Sequence, residues 1–195
     1  AAEIFKYIFN ADTVDHVLHR LMEEGIRFNE GTIVSKTIIF AYNHNHAVFI
    51  AERFNVLYPE LGPDFCRVID NYEKYSSDLI DKFDDKDKLP QIAVSVDMLD
   101  TGIDIPEVVN LVFFKPVHSK IKFWQMIGRG TRLCENLFGN GENKKEFLIF
   151  DYYRNFEYFD MNPEGSQLTK SQSIVTTLFK LRTDITVSYT HLTLP

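Results

Sequence analysis

Apolar positions along this chain follow two rhythms that alternate over most of its length. Val14, Val17, Leu18 and Leu21 recur at helical spacing within residues 10–24, with Asn10 or Asp12 as cap candidates and Gly25 as the stop. Thr37–Ala41 (TIIFA) is short, continuous and β-branched, which predicts a strand buried on both faces. It leads through Tyr42-Asn43-His44-Asn45 into a helix over about 46–57. A weaker strand is predicted at 67–70, followed by Ser77 as the N-cap of a helix through Phe83. After the polar connector 84–88 and Pro90, strands are predicted at 92–96, 110–114 and 147–151, with a helix over 119–127. Strands that alternate with helices and are apolar throughout imply an α/β fold, a parallel sheet with helices on both faces. Beyond Asp151 an aromatic cluster (Tyr152, Tyr153, Phe156, Tyr158, Phe159) is expected to dock onto the sheet rather than stack on nucleic acid, and a helix is predicted over 171–181.

The length, 195 residues, allows one well-buried core and a small appendage. No apolar run approaches the roughly 18 uncharged residues of a membrane helix and no signal peptide opens the chain, so a cytoplasmic location without a membrane partner is expected. Cys66 and Cys134 are far apart and neither belongs to a C-x-x-C pair, which argues for reduced thiols over a disulfide or zinc site. Twenty-eight acidic against 21 basic residues, a net charge of -7, argues against a nonspecific coat on nucleic acid. A protein gripping one strand through backbone N–H groups, hydroxyls and a few lysines remains compatible with that charge.

Several tempting groups are read as bland. The pairs His16/His19 and His44/His46 lack Cys or Glu partners at ligand spacing and are expected to be exposed. Asp97, Asp100 and Asp104 do not follow calcium-loop spacing, so no metal site is expected. Pro63-Asp64 with Asp84-Asp85-Lys86 imitates a nuclease signature, but its second half falls in a charged connector with no strand to hold it.

The stretch 91–133 is richer. Its two strand-like runs each end in a turn dense in small and charged residues, which places the expected chemistry at the carboxyl edge of the sheet. The second turn leads to Gln125-Met126-Ile127-Gly128-Arg129-Gly130-Thr131-Arg132. Arginines three apart on a helix, or on the turn ending one, share a face, repel each other and call for an anion such as a polyphosphate. The competing reading is an ion pair between one of them and Asp104 or Glu135.

Gln125-x-x-Gly128-Arg129-x-x-Arg132 resembles motif VI of superfamily 2 helicases and translocases; the segment 97–108 (DMLDTGIDIPEV) resembles their motif V, and the strand and turn at 37–45 their motif IV. The wording around these motifs, at 110–114, Phe123-Trp124-Gln125-Met126, 130–134 and Phe150-Asp151-Tyr152, is similar to the motor subunit of type I restriction enzymes, and the likeness runs from about Asn10 to Leu181. The resemblance implies a second RecA-like motor domain over 1–160 and a helical extension over 161–186. The tail 187–195 (VSYTHLTLP) leaves the pattern, resembles translated adapter sequence and is expected to be non-native and without structure.

By the same resemblance Arg129 and Arg132 are the catalytic arginine fingers of an ATP site, with Gln125, Gly102 and Asp104 beside them, while Asn43, Ser95 and Thr101 face the nucleic-acid backbone. The implied cofactor is ATP, with Mg²⁺ held by a first motor domain. The implied partners are double-stranded DNA, that first domain, and modification and specificity subunits. G-x-x-x-x-G-K-[ST] and an acidic D-E-x-[DH] motif are both missing from the sequence, so this chain alone is expected to be inactive. Two alternatives stay open: a domain of another superfamily 2 helicase, and a non-catalytic nucleic-acid-binding module of the same fold.

Overall fold

The computed structural model describes residues 9–28, 31–71, 76–85, 87–99, 104–139, 141–163 and 165. The predicted helix 171–181 and the tail 187–195 lie outside the described residues.

Helix α1 (Ala11–Glu24) is the first element among the described residues, and Asn10 caps it by accepting from the Asp12 N–H at 2.9 Å. A two-residue antiparallel ladder of β1 (Arg27–Phe28) and β2 (Ile33–Val34) follows, too short to leave a strand signature in the sequence. Then come β3 (Thr37–Ala41), α2 (His44–Leu57), a single 3₁₀ turn (Pro59–Leu61), β4 (Cys66–Val68) and α3 (Ser76–Asp84). The remainder is β5 (Ile92–Ser95), β6 (Asn110–Phe114), α4 (Lys120–Ile127), β7 (Leu148–Asp151) and α5 (Asn155–Met161). Five strands form one parallel sheet in the order β4-β5-β3-β6-β7. This is the covered parallel sheet that the alternating pattern predicts and that the resemblance to a RecA-like domain implies.

Side chains alternate across the sheet, as a strand requires. Ile39, Ala41, Val94, Val112 and Phe114 face α1 and α2, where Val14, Val17, Leu18, Leu21, Ile50 and Phe54 are buried. Ile38, Phe40, Ala93, Leu111 and Phe113 face the opposite layer, against Phe83 of α3 and Phe123, Met126 and Ile127 of α4. The central strands are therefore buried on both sides, which explains their unbroken apolar runs.

Buried polar side chains tie the amino edge together. Asn110, fully buried, accepts from the Ile26 N–H at 2.8 Å and donates to the Ile26 carbonyl at 3.1 Å and Thr37 Oγ1 at 3.3 Å. Lys144 donates to the carbonyls of Pro106 (3.0 Å) and Val108 (2.6 Å), fixing the chain as it enters β6. The aromatic cluster does dock on the sheet: Phe159 of α5 stacks on Phe123 at 4.5 Å, and Tyr152 and Tyr153 pack on Phe114. Asp151 starts α5 by accepting from the Phe156 N–H at 3.0 Å, while Asn155 bridges back to the Val117 N–H and the Lys115 carbonyl.

Two expectations are corrected. Ser77 is not a cap, because α3 begins at Ser76 and Ser77 is already helical. His46 is not exposed: helix α2 starts two residues earlier than predicted, capped by Asn43, and this turns His46 inward, edge-on to Phe114 at 4.7 Å and fully buried. Its Nδ1 accepts from the Tyr42 N–H at 3.2 Å, and burial pushes its pKa down from 6.5 to about 4. The unfolded chain therefore takes up a proton below pH 6.5 that the folded chain refuses until about pH 4. Stability supplied by neutral His46 is complete above the first value and drains away toward the second, by roughly 2–3 kcal/mol. Urea unfolding at pH 7.5 and pH 4.5 should show this loss in the parent chain, and His46→Leu should reduce it.

Candidate functional site

Helix α4 starts just past the carboxyl end of β6, where the Ser119 hydroxyl accepts from the Lys122 N–H at 3.4 Å, and runs back toward the amino edge of the sheet. It ends at Ile127 in a tight turn in which the Gly128 N–H donates to the Trp124 carbonyl at 2.8 Å and the Gly130 N–H to the Ile127 carbonyl at 2.9 Å. Gly130 is buried against the ring of Phe147, the residue before β7, and a Cβ there would overlap that ring. The turn is thus pinned at the start of β7.

Arg129 sits half-buried in this turn and Arg132 is exposed just beyond it. Arg132 Nε lies 2.9 Å from Asp104 Oδ1, with side chains 56% and 63% exposed. The arginine–carboxylate pairing anticipated as a competing reading is therefore present. It is also of the kind that contributes under about 1 kcal/mol, since water competes for both partners. Gln125 is exposed one helical turn earlier.

The arginines do not lie on the carboxyl edge, where the sequence places the chemistry. A crossover helix between parallel strands must return the chain to the amino edge, so whatever follows it arrives there. Asp104 reaches the same edge from the other side, six residues ahead of β6. Nor does helical periodicity align the two arginines, because the helix stops at Ile127 and it is the turn that orients them.

The carboxyl edge carries a separate group. Asn43 spends its side-chain oxygen on the His46 N–H at 2.9 Å and lines an open cleft with His44, Asp70 and Asp97. His44 Nδ1 is 2.6 Å from Asp70 Oδ2, whose side chain is only 3% exposed. Sequence reasoning missed this pair because its members are 26 residues apart and meet only when β3 and β4 flank β5. Ser95 ends β5 fully buried, its hydroxyl accepting from the Leu99 N–H at 3.2 Å, so it shapes the turn and offers no surface. Burial opposes ionisation of Asp97, yet Lys115 (3.4 Å) and Lys122 (3.2 Å) hold its carboxyl below the usual range. Lys115 also donates to the Val96 carbonyl. Thr101 and Gly102 lie outside the described residues.

Cys66 is buried, which pushes its thiol pKa up and makes it inert. Asp64 and Asp85, from the nuclease look-alike, are engaged by Arg67 at 2.7 Å and Lys88 at 2.8 Å. Among the described residues no three His, Cys, Asp or Glu side chains converge as a metal site, and no helix is long and apolar enough to cross a membrane.

The helicase conserved C-terminal domain matches residues 16–134. The chain is 36% identical over 152 residues to the EcoKI type I restriction enzyme endonuclease subunit of Escherichia coli strain K12, covering 73% of this chain and 12% of that protein. It is 29% identical over 134 residues to the EcoAI endonuclease subunit of Escherichia coli, covering 65% of this chain and 15% of that one. A solved fragment assigned to an HsdR subunit of a type I restriction enzyme from Vibrio vulnificus YJ016 superposes with a TM-score of 0.67 at 27% identity, over 85% of this chain and 31% of that chain. The chain thus spans well under a fifth of the length of the curated relatives it matches.

Proposed function

The chain belongs to the helicase conserved C-terminal domain family, and from that premise we propose that it is the second motor domain of the ATP-dependent DNA-translocating subunit of a type I restriction enzyme. The observation that carries the reading is the Arg132–Asp104 pair beside half-buried Arg129, at the end of a helix held rigidly to the sheet. Two guanidinium groups three residues apart, one of them resting on an exposed and weakly held carboxylate, suit the oxygens of a triphosphate, which would offer more negative charge and bidentate geometry. ATP, when bound, supplies the phosphoryl transfer that drives stepping, with its Mg²⁺ held by the first motor domain.

In this reading Arg129 and Arg132 close one wall of a shared nucleotide site, with Arg132 exchanging Asp104 for phosphate. Gln125 orients the same wall, and Asp104 accompanies it. Asn43 faces the DNA backbone from the carboxyl edge, and Ser95 sets the shape of the turn after β5. The separation of the two edges suits a motor: closure on nucleotide at one edge shifts the grip on the strand at the other. Double-stranded DNA, the first motor domain, and the modification and specificity subunits are the partners this role requires.

The test is a comparison of ATP turnover. The chain alone should hydrolyse no ATP with or without DNA, whereas a longer polypeptide that adds an upstream domain with a phosphate-binding lysine loop should turn over ATP in a DNA-dependent way. Hydrolysis by the chain alone, or turnover of the longer form that ignores DNA, would contradict the proposal.

A further inference from the structure

Helices α4 and α5 leave an apolar surface uncovered among the described residues. Ile121 and Trp124, three residues apart on one face of α4, are 71% and 59% exposed, and Phe156 of α5 is 45% exposed. The Trp124 and Phe156 rings both meet the buried Phe123 ring, at 6.0 and 5.1 Å, so the surface is continuous across the two helices. Gln125 points about 100° away from Trp124 around α4, so Trp124 lies on the flank that leans toward α5. Single exposed apolar residues are ordinary, but a patch that gathers a tryptophan, a phenylalanine and an isoleucine marks a surface that something covers.

The course of the chain identifies the cover. Gly165, the last described residue, presses against the first turn of α4: a Cβ there would lie 2.7 Å from the His118 carbonyl oxygen and 3.1 Å from the Lys120 nitrogen. At the other end Phe9 packs on His46 and Phe49 of α2, across the sheet from α4. Residues 166–170 can span about 17 Å, which brings Ser171 within reach of any point along α4, whose eight residues measure about 12 Å. The predicted helix 171–181 carries Ile174, Val175, Leu178 and Phe179 as one apolar stripe, with Ser173, Thr176 and Lys180 opposite. Residues 174–177 are all β-branched, and so short a helix of that composition needs a partner face to hold it.

We propose that the stripe of Ile174, Val175, Leu178 and Phe179 docks on Ile121, Trp124 and Phe156, so that the segment after Gly165 folds back over α4 as a further layer. Its tether to Gly165 holds it at a high local concentration, an advantage that no free partner shares. Because α4 ends in the turn that carries Arg129 and Arg132, the docked segment steadies that turn and joins it to whatever polypeptide follows in a longer subunit. The proposal stands apart from the assignment of Arg129 and Arg132 and survives if that assignment fails.

Trp124 is the single tryptophan of the chain, so its fluorescence reports on this patch alone. In the 195-residue chain its emission should be blue-shifted and shielded from iodide. Losing one buried leucine weakens docking by about tenfold, so Leu178→Asp should shift the emission to the red and about double its quenching by iodide. Ser173→Asp, which adds the same charge on the opposite face, should change neither. From the other side of the contact, Ile121→Asp should speed tryptic cleavage after Lys180 and Arg182 by about tenfold. Ile121 is exposed in the described fold, so a thermal melt should show that the sheet survives that change. Parent emission already typical of tryptophan in water, an equal response to Leu178→Asp and Ser173→Asp, or cleavage indifferent to Ile121→Asp would overturn the proposal. So would a blue shift that ignores Leu178→Asp but grows with protein concentration, which gives the patch to a second copy, or that arises only in a longer subunit, which gives it to another domain.

Discussion

Replacing Arg129 with alanine, in a subunit that joins this domain to its nucleotide-binding neighbour, is expected to lower DNA-stimulated ATP turnover by roughly 10³-fold or more. The magnitude is that of an arginine finger, whose charge stabilises the oxygens of the phosphoryl group in transfer and does little for the folded state. Arg129 is the stronger candidate of the two because it is half-buried within a turn fixed by Gly130 against Phe147, whereas Arg132 is exposed beyond it. A preorganised donor loses less rotamer freedom on closing over its target. Arg129→Lys should recover little, since a point charge cannot reproduce a planar fork. Steady-state turnover with saturating DNA, beside a thermal melt of each variant, reads both halves of the expectation. Turnover within threefold of the parent, with folding unchanged, would remove Arg129 from the site.

The second large effect is structural. Phe123→Ala should cost about 3–5 kcal/mol of stability, the range for deleting a buried phenylalanine. Phe123 is 2% exposed and its ring meets Phe159 at 4.5 Å, Phe156 at 5.1 Å and Phe113 at 5.6 Å, so one side chain joins α4 to both the sheet and α5. Helix α4 has only eight residues, too few to hold itself, and depends on this packing. Because the same helix delivers the arginine turn, the substitution should also depress turnover in the longer subunit at temperatures where the fold survives. Urea unfolding measures the first effect; a loss under about 1 kcal/mol would mean that the aromatic cluster is not what fastens α4.

Strands β3 and β6 were legible to the residue in the sequence because both are central, and burial on two faces writes itself as an unbroken apolar run. The helix starts were less legible. Asn43 is a capping residue by type, but the pattern alone could not decide between it and a later start, and that two-residue difference carried His46 from the surface to the interior. Helix α5 was read only as aromatic, since Asp151 and Asn155 start it through contacts with residues up to 40 positions away. Order and spacing single out the motif residues, but they do not tell which edge of the sheet Arg129 and Arg132 occupy. The carboxyl-edge rule covers loops that leave strands, and Arg129 and Arg132 follow a helix instead. The His44–Asp70 pair exists only once distant segments meet, and no local pattern announces it.

The central claim is that Arg132 rests on Asp104 until a nucleotide phosphate displaces it. The most direct measurement is a structure of the longer subunit with a non-hydrolysable ATP analogue bound between its two motor domains. The account predicts Arg132 released from Asp104, with Arg129 and Arg132 nitrogens about 2.7–2.9 Å from oxygens of the terminal phosphate. A closed, analogue-bound structure in which Arg132 still pairs with Asp104, and neither arginine touches the phosphates, would contradict it.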